Sequence, residues 1–135
     1  MNENKKILII EDDVNMREAL VHRFTAEHFT ALSASDGPSG LAVALREKPD
    51  IILLDIMMPG FDGMALMKNL RQAREPDGQE NEWGKHVPII LLTSLSADDK
   101  IMTGIIRDEP AYYIVKDNFS LDDVVEKVKE RLERI

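Results

Sequence analysis

Three features of the sequence predict an α/β fold, a (βα)5 three-layer sandwich around a parallel sheet. Short continuous apolar runs alternate with segments whose apolar residues follow helical spacing. The runs are rich in Ile, Leu and Val, as strands buried on both faces are. The helical segments are long enough to form the right-handed crossovers that parallel strands require.

Ile7-Leu8-Ile9-Ile10 is the first strand. Met16, Ala19, Leu20 and Phe24 then mark a helix from Asn15 to about Glu27. Thr30 to Ala34 is a weaker strand, followed by a helix over Ser39–Glu47 that carries Leu41, Val43, Ala44 and Leu45. Ile51-Ile52-Leu53-Leu54 is the third strand, and Met64, Leu66, Met67 and Leu70 mark a helix over Gly63–Arg74. The fourth strand is Val87–Leu92, and its helix spans Asp98–Arg107 on Ile101, Met102, Ile105 and Ile106. Tyr112–Val115 is the fifth strand. The last helix places Leu121, Val124, Val125, Val128 and Leu132 along one face, with Ser120 and Asp123 as a capping pair at its start.

One stretch, residues 73–86, breaks this rhythm. It is polar and turn-rich, and longer than the ~2–6 residues of a usual connection, so an extended surface loop is expected. It holds the chain's single tryptophan, Trp83. An exposed tryptophan suits a partner contact, because such residues are enriched at binding hot spots; the other reading is an anchor folded back onto the domain.

A length of 135 residues suits one domain over 1–135, and 44% hydrophobic residues suffice for a core. With no cysteine, disulfides, thiolate metal sites and cysteine nucleophiles are excluded. Seventeen basic against 25 acidic residues give a formal charge of −8, which repels phosphates. Direct nucleic-acid binding and attachment to an anionic membrane are therefore not expected. No apolar run approaches the ~18–20 residues of a spanning helix, and Met1–Lys6 form no signal peptide, so a cytoplasmic protein is expected. His22, His28 and His86 lack metal-ligand spacing. Walker, GxGxxG and GxSxG motifs are all missing.

Ligands of open parallel sheets bind beyond the carboxyl ends of the strands. Glu11, Asp12 and Asp13 follow the first strand, Asp55 the third, Thr93 and Ser94 the fourth, and Lys116 the fifth. Taken singly, each has an ordinary explanation as a turn acid, a helix cap or a solvated lysine. Coincidence at four strand ends is improbable. Carboxylates forced together repel and call for a cation, and hard oxygen ligands suit Mg²⁺. A hydroxyl and an ammonium beside them neutralise a phosphoryl group. The chemistry indicated is phosphoryl transfer to a carboxylate, giving an acyl phosphate.

These residues carry a family likeness. The chain resembles the receiver domain of two-component response regulators, in the style of the single-domain chemotaxis regulator. The carriers are Ile-Leu-Ile-Ile-Glu-Asp-Asp at 7–13, Asp-Ile-Ile-Leu-Leu-Asp-Ile-Met-Met-Pro-Gly-Phe-Asp-Gly at 50–63, Pro-Ile-Ile-Leu-Leu-Thr-Ser at 88–94 and Tyr-Ile-Val-Lys at 113–116. The resemblance implies a flavodoxin-like doubly wound sheet in strand order 2-1-3-4-5. It makes Asp55 the acceptor of a phosphoryl group from a phosphohistidine on a histidine kinase or phosphotransfer protein. Asp12, Asp13, Asp55 and the Met57 carbonyl would serve Mg²⁺, Asp12 acting through water. Thr93 would bond a phosphoryl oxygen, and Lys116 would pair with the group. Tyr113 would be the aromatic switch, turning inward as Thr93 moves, and Pro59 and Gly63 would shape the loop after Asp55. The implied output is a changed affinity for a downstream protein on the face of the fourth helix, fifth strand and fifth helix. Such a module is no general enzyme, catalysing only its own phosphorylation and dephosphorylation.

Three departures from the family pattern stand out. Lys116 is followed by Asp117 where the family has a cis proline, and a non-proline cis bond costs about 2.5–4 kcal/mol. Residues 73–86 are an extension. Asp108-Glu109-Pro110-Ala111 replaces a Gly-Ala turn before the fifth strand. Met57 and Leu95, two residues beyond Asp55 and Thr93, are apolar and cannot orient a hydrolytic water, so a long-lived phospho-aspartate is expected. The rival readings are a phosphorylation-independent scaffold of the same fold and, more distantly, a magnesium phosphohydrolase, which would need a cap or a further acid.

Overall fold

The computed structural model describes residues 4–55, 57–58, 61–93, 112–115 and 120–133, without the side chains of 57, 58, 61, 62, 64, 93 and 112–115. In chain order the described elements are β1 (Lys6–Ile10), α1 (Val14–Ala26), β2 (Thr30–Ala34), α2 (Gly37–Glu47), β3 (Ile51–Asp55), β4 (Met57–Met58), β5 (Phe61–Asp62), α3 (Gly63–Arg71), α4 (Glu82–His86), β6 (Ile89–Thr93), β7 (Tyr112–Val115) and α5 (Leu121–Glu133). The main sheet has order β2-β1-β3-β6-β7, and all its pairings are parallel. This is the doubly wound order 2-1-3-4-5 expected from the sequence. The expected helix at 98–107 and the Lys116–Asp117 bond lie outside the described residues, as do Pro59, Ser94, Leu95 and residues 108–111.

The continuous apolar runs arise because the sheet is covered twice. Ile7 and Ile9 of β1 and Ile51 and Leu53 of β3 face Leu20, Phe24, Val124 and Val128 of α1 and α5. Leu8, Ile10, Ile52 and Leu54 face the opposite way, against Ala44, Leu66, Met67 and Leu70 of α2 and α3. Side chains alternate along a strand, so each run feeds two cores at once. Every residue of β3 is buried. On the first face Phe24 and Phe29 meet edge to face, ring centroids 5.2 Å apart. Edge strand β2 is the least apolar, with Thr30 and Ser33 exposed, which is why its sequence signal is weak.

The helix ends are set by acids. Asp13 caps α1, its carboxylate accepting from the Met16 N–H at 3.1 Å. Asp36 caps α2 through the Ser39 N–H at 2.8 Å. Ser120 and Asp123 form the reciprocal capping box at the start of α5, at 3.2 and 3.0 Å.

Of residues 73–86, expected as an extended surface loop, 73–81 hold no helix or strand, while 82–86 form a short helix. Arg74 bridges Glu80 across a tight turn, in which Gly78 takes φ +87°. The short helix α4 follows, capped by Asn81, which is 4% exposed and accepts from the Gly84 N–H at 2.9 Å. Gly84 lies so close to α3 that a Cβ there would stand 2.5 Å from the Leu70 carbonyl oxygen. Arg71 donates to the carbonyls of Gly84 and Val87 at 3.0 and 2.8 Å. Lys48, just after α2, pairs with Glu75. A polar segment can fold tightly when its backbone groups find these partners; composition alone does not reveal them.

Trp83 takes the anchoring role. Its ring packs against the α2–α3 core, and its indole N–H donates to the Pro49 carbonyl at 2.7 Å. A half-buried ring with its one polar atom satisfied is what an amphipathic aromatic needs to seal the base of a domain.

Candidate functional site

The site forms where β1 and β3 end. The two strands pair in parallel with Ile10 opposite Leu54, so the next residues, Glu11 and Asp55, are neighbours. Alternation continues from Ile9 and Leu53, sending both carboxylates toward the α1 face. Glu11 is 0% and Asp55 2% exposed, while Asp12 is exposed at the rim. Carboxylate oxygens of Glu11, Asp12 and Asp55 all lie within 4.8 Å of one another.

This grouping differs from the expected ligand set at one place. Asp12 and Asp55 come together as expected, but the third acid is Glu11 rather than Asp13. Asp13 has turned away to cap α1, one residue beyond the strand. Glu11 was within reach of sequence reasoning. Counting forward from equally placed residues of the first and third strands pairs it with Asp55.

The loop carrying these acids is braced on several sides. The Glu11 N–H donates to the Ala34 carbonyl at 3.1 Å, extending the β1–β2 pairing by one bond. The Asp13 N–H donates to the Glu11 carboxylate at 3.4 Å. Arg17, on the first turn of α1, reaches back with Nη1 to the carbonyls of Glu11 and Asp12, at 2.9 and 3.4 Å.

Of the other expected site residues, Met57 opens β4, which pairs with β5 so that Met57 lies opposite Asp62. Thr93 ends β6, one residue beyond the Asp55–Leu92 pairing and opposite Val115. Tyr113 lies in β7 opposite Leu91. The side chains of Thr93 and Tyr113, and Lys116 altogether, lie outside the described residues. Trp83 is at the opposite end of the sheet, beside the turn into β3.

The donor set fits a small hard cation. At an effective dielectric of about 20, two carboxylates about 5 Å apart repel by about 3 kcal/mol. A divalent ion among three oxygens replaces that repulsion with attraction, and Mg²⁺ combines carboxylate oxygens with water and phosphate oxygens. Burial of two of the acids excludes the solvent that would otherwise screen them.

The elements described are those of a known family. The model of the "Response regulator receiver domain" matches residues 7–129. Over 91 residues the chain is 40% identical to response regulator PleD of Caulobacter vibrioides, covering 67% of this chain and 18% of PleD. Over 130 residues it is 32% identical to the transcriptional activator protein PfeR of Pseudomonas aeruginosa, covering 96% of this chain and 38% of PfeR. The chain thus spans well under half the length of either relative. The structure of chemotaxis protein CheY4 of Vibrio cholerae aligns with a TM-score of 0.80 over 94% of this chain and 98% of its own, at 21% identity, a likeness of fold. Because the family match runs through both acid-bearing strands and into the last helix, the chain belongs to the response regulator receiver domains, signalling modules of two-component systems.

Proposed function

We propose that this receiver takes a phosphoryl group onto the Asp55 carboxylate from the phosphohistidine of a sensor histidine kinase or phosphotransfer protein, and that the resulting acyl phosphate changes its affinity for a downstream protein. The observation that carries this reading is the convergence of Glu11, Asp12 and Asp55, two of them buried, at the carboxyl edge of a parallel sheet.

In the transfer an Asp55 oxygen attacks phosphorus in line with the leaving nitrogen. The P–O bond forms, the P–N bond breaks, and the departing imidazole takes up a proton. Little covalent work falls to the protein, because such transfers depend on positioning and charge neutralisation. Glu11, Asp12 and Asp55, with the Met57 carbonyl, would hold Mg²⁺, which supplies positive charge to the transferring phosphoryl oxygens. Lys116 would pair with the phosphoryl group, and the Thr93 hydroxyl would donate to one of its oxygens. Tyr113 would follow Thr93 and carry the change to the face of the fourth crossover helix, β7 and α5. A coupling of about 1–3 kcal/mol is enough to move partner affinity about 5–150-fold.

Phosphoramidate tests the reading, since its P–N bond stands in for phosphohistidine. With Mg²⁺ present the protein should gain a hydroxylamine-labile phosphoryl group, and with EDTA it should gain none. A protein that stays unlabelled in both conditions would overturn the reading and favour the scaffold.

A further inference from the structure

Arg17 is bound to the acidic site without being one of its acids. Its Nη1 atom donates to the backbone carbonyls of Glu11, at 2.9 Å, and of Asp12, at 3.4 Å. These two residues supply two of the three clustered carboxylates. The bond to Glu11 is partly buried, and the Arg17 N–H itself donates to the Asp13 carbonyl at 2.9 Å. One residue thus holds three successive carbonyls of the loop, two by its guanidinium and one by its backbone.

We infer that Arg17 is a positioning residue that fixes the Glu11 and Asp12 carboxylates for a divalent cation by clamping the backbone that carries them. The inference rests on the metal-site reading above. The loop between β1 and α1 is held on one side by the Ala34 carbonyl and on the other by the cap of Asp13. The Asp13 N–H also meets the Glu11 carboxylate at 3.4 Å, and the Arg17 guanidinium adds contacts at the Glu11 and Asp12 carbonyls. The guanidinium therefore adds a hold on the loop at the two residues that carry clustered carboxylates, and its loss lets that backbone shift more freely. Groups that orient metal ligands from behind typically change metal affinity about 10–100-fold when removed. Lysine is not an equivalent, since its ammonium is a flexible point donor and not a planar fork.

Charge and geometry predict opposite signs. If Arg17 acted on the site only through its positive charge, removing it would lessen repulsion of the cation and tighten binding. If it acts by clamping, removing it loosens binding.

Calorimetric titration with Mg²⁺ of the full chain separates these cases, using Arg17→Ala, Arg17→Lys and, as a control on the same helix, Glu18→Ala. The expected result is a Kd raised about 10-fold or more in Arg17→Ala, raised less in Arg17→Lys, and unchanged in Glu18→Ala. Thermal unfolding without metal shows whether α1 is intact, a loss of stability alone leaving the Kd where it was. Should Arg17→Ala not fold, Arg17→Lys and amide exchange at Asp12 and Asp13 carry the test, with faster exchange expected. An unchanged or tighter Kd in a folded Arg17 variant would overturn the inference and leave the metal site standing. Failure of the unaltered protein to bind Mg²⁺ would overturn the site reading itself.

Discussion

Replacing Asp13 with alanine should cost about 1 kcal/mol of stability, the usual worth of an N-cap, and leave Mg²⁺ affinity within about twofold of the parent. Asp12→Ala should do the reverse, weakening Mg²⁺ binding while leaving the α1 cap in place. Urea unfolding and metal titration on the two variants check this pair. The difference comes from one residue of chain. Asp12 sits at the rim of the cluster, whereas Asp13 is spent on the Met16 N–H. From sequence the run Glu11-Asp12-Asp13 is three equivalent acids, and the resemblance alone favoured the last two. Strand register adds the first, because Ile10 opposite Leu54 makes Glu11 the neighbour of Asp55. At the same scale, Met57→Asn with Leu95→Glu should speed loss of the phosphoryl group several-fold by orienting an attacking water, general acid–base assistance having room for about 10²-fold or more. An unaltered decay rate would remove the apolar pair as the cause of a long lifetime.

Among the elements, the segment at 73–86 departs furthest from its sequence. Its polarity reads as loop, yet its end is fastened by Trp83 to the Pro49 carbonyl and by Arg71 to Gly84 and Val87. Trp83→Phe keeps most of the ring and loses one half-buried bond, so it should cost about 1 kcal/mol. Trp83→Ala should cost about 2 kcal/mol or more, as core aromatics do when truncated. Chemical denaturation monitored by circular dichroism measures both. Helices α1 and α5 are joined by Glu27 to Lys129 and by Arg23 to Asp122. The hydrogen bond from Lys129, aided by its charge and that of Arg23, holds the Glu27 carboxyl below its ordinary value. A carboxyl so lowered contributes stability above its unfolded pKa and loses it as pH falls through the lowered folded one. Stability should therefore decline as pH drops below the usual glutamate range, and Glu27→Gln should flatten that decline. Thermal melts across the acid range read the slope.

Over the whole molecule, most of the architecture was legible because a doubly covered sheet leaves a strong trace. Ile-, Leu- and Val-rich runs can serve two faces only where helices lie on both, and the amphipathic pattern of α5 places its Val124, Val125, Val128 and Leu132 against one of them. Edge strand β2 and helix α4 were faint for the same reason: their stability comes from partners far along the chain and not from their own pattern. The acidic site is a property of the sheet as a unit, since its members come from separate strands that only the parallel pairing aligns. None of the helices among the described residues is long and apolar enough to cross a membrane.

The central claim is that the Asp55 carboxylate becomes an acyl phosphate. Intact mass after incubation with acetyl phosphate and Mg²⁺ tests it most directly. A gain of ~80 Da, one phosphoryl group as expected of a single carboxylate nucleophile, that disappears in Asp55→Asn is the predicted result. No gain in the parent, or the same gain in Asp55→Asn, would contradict it.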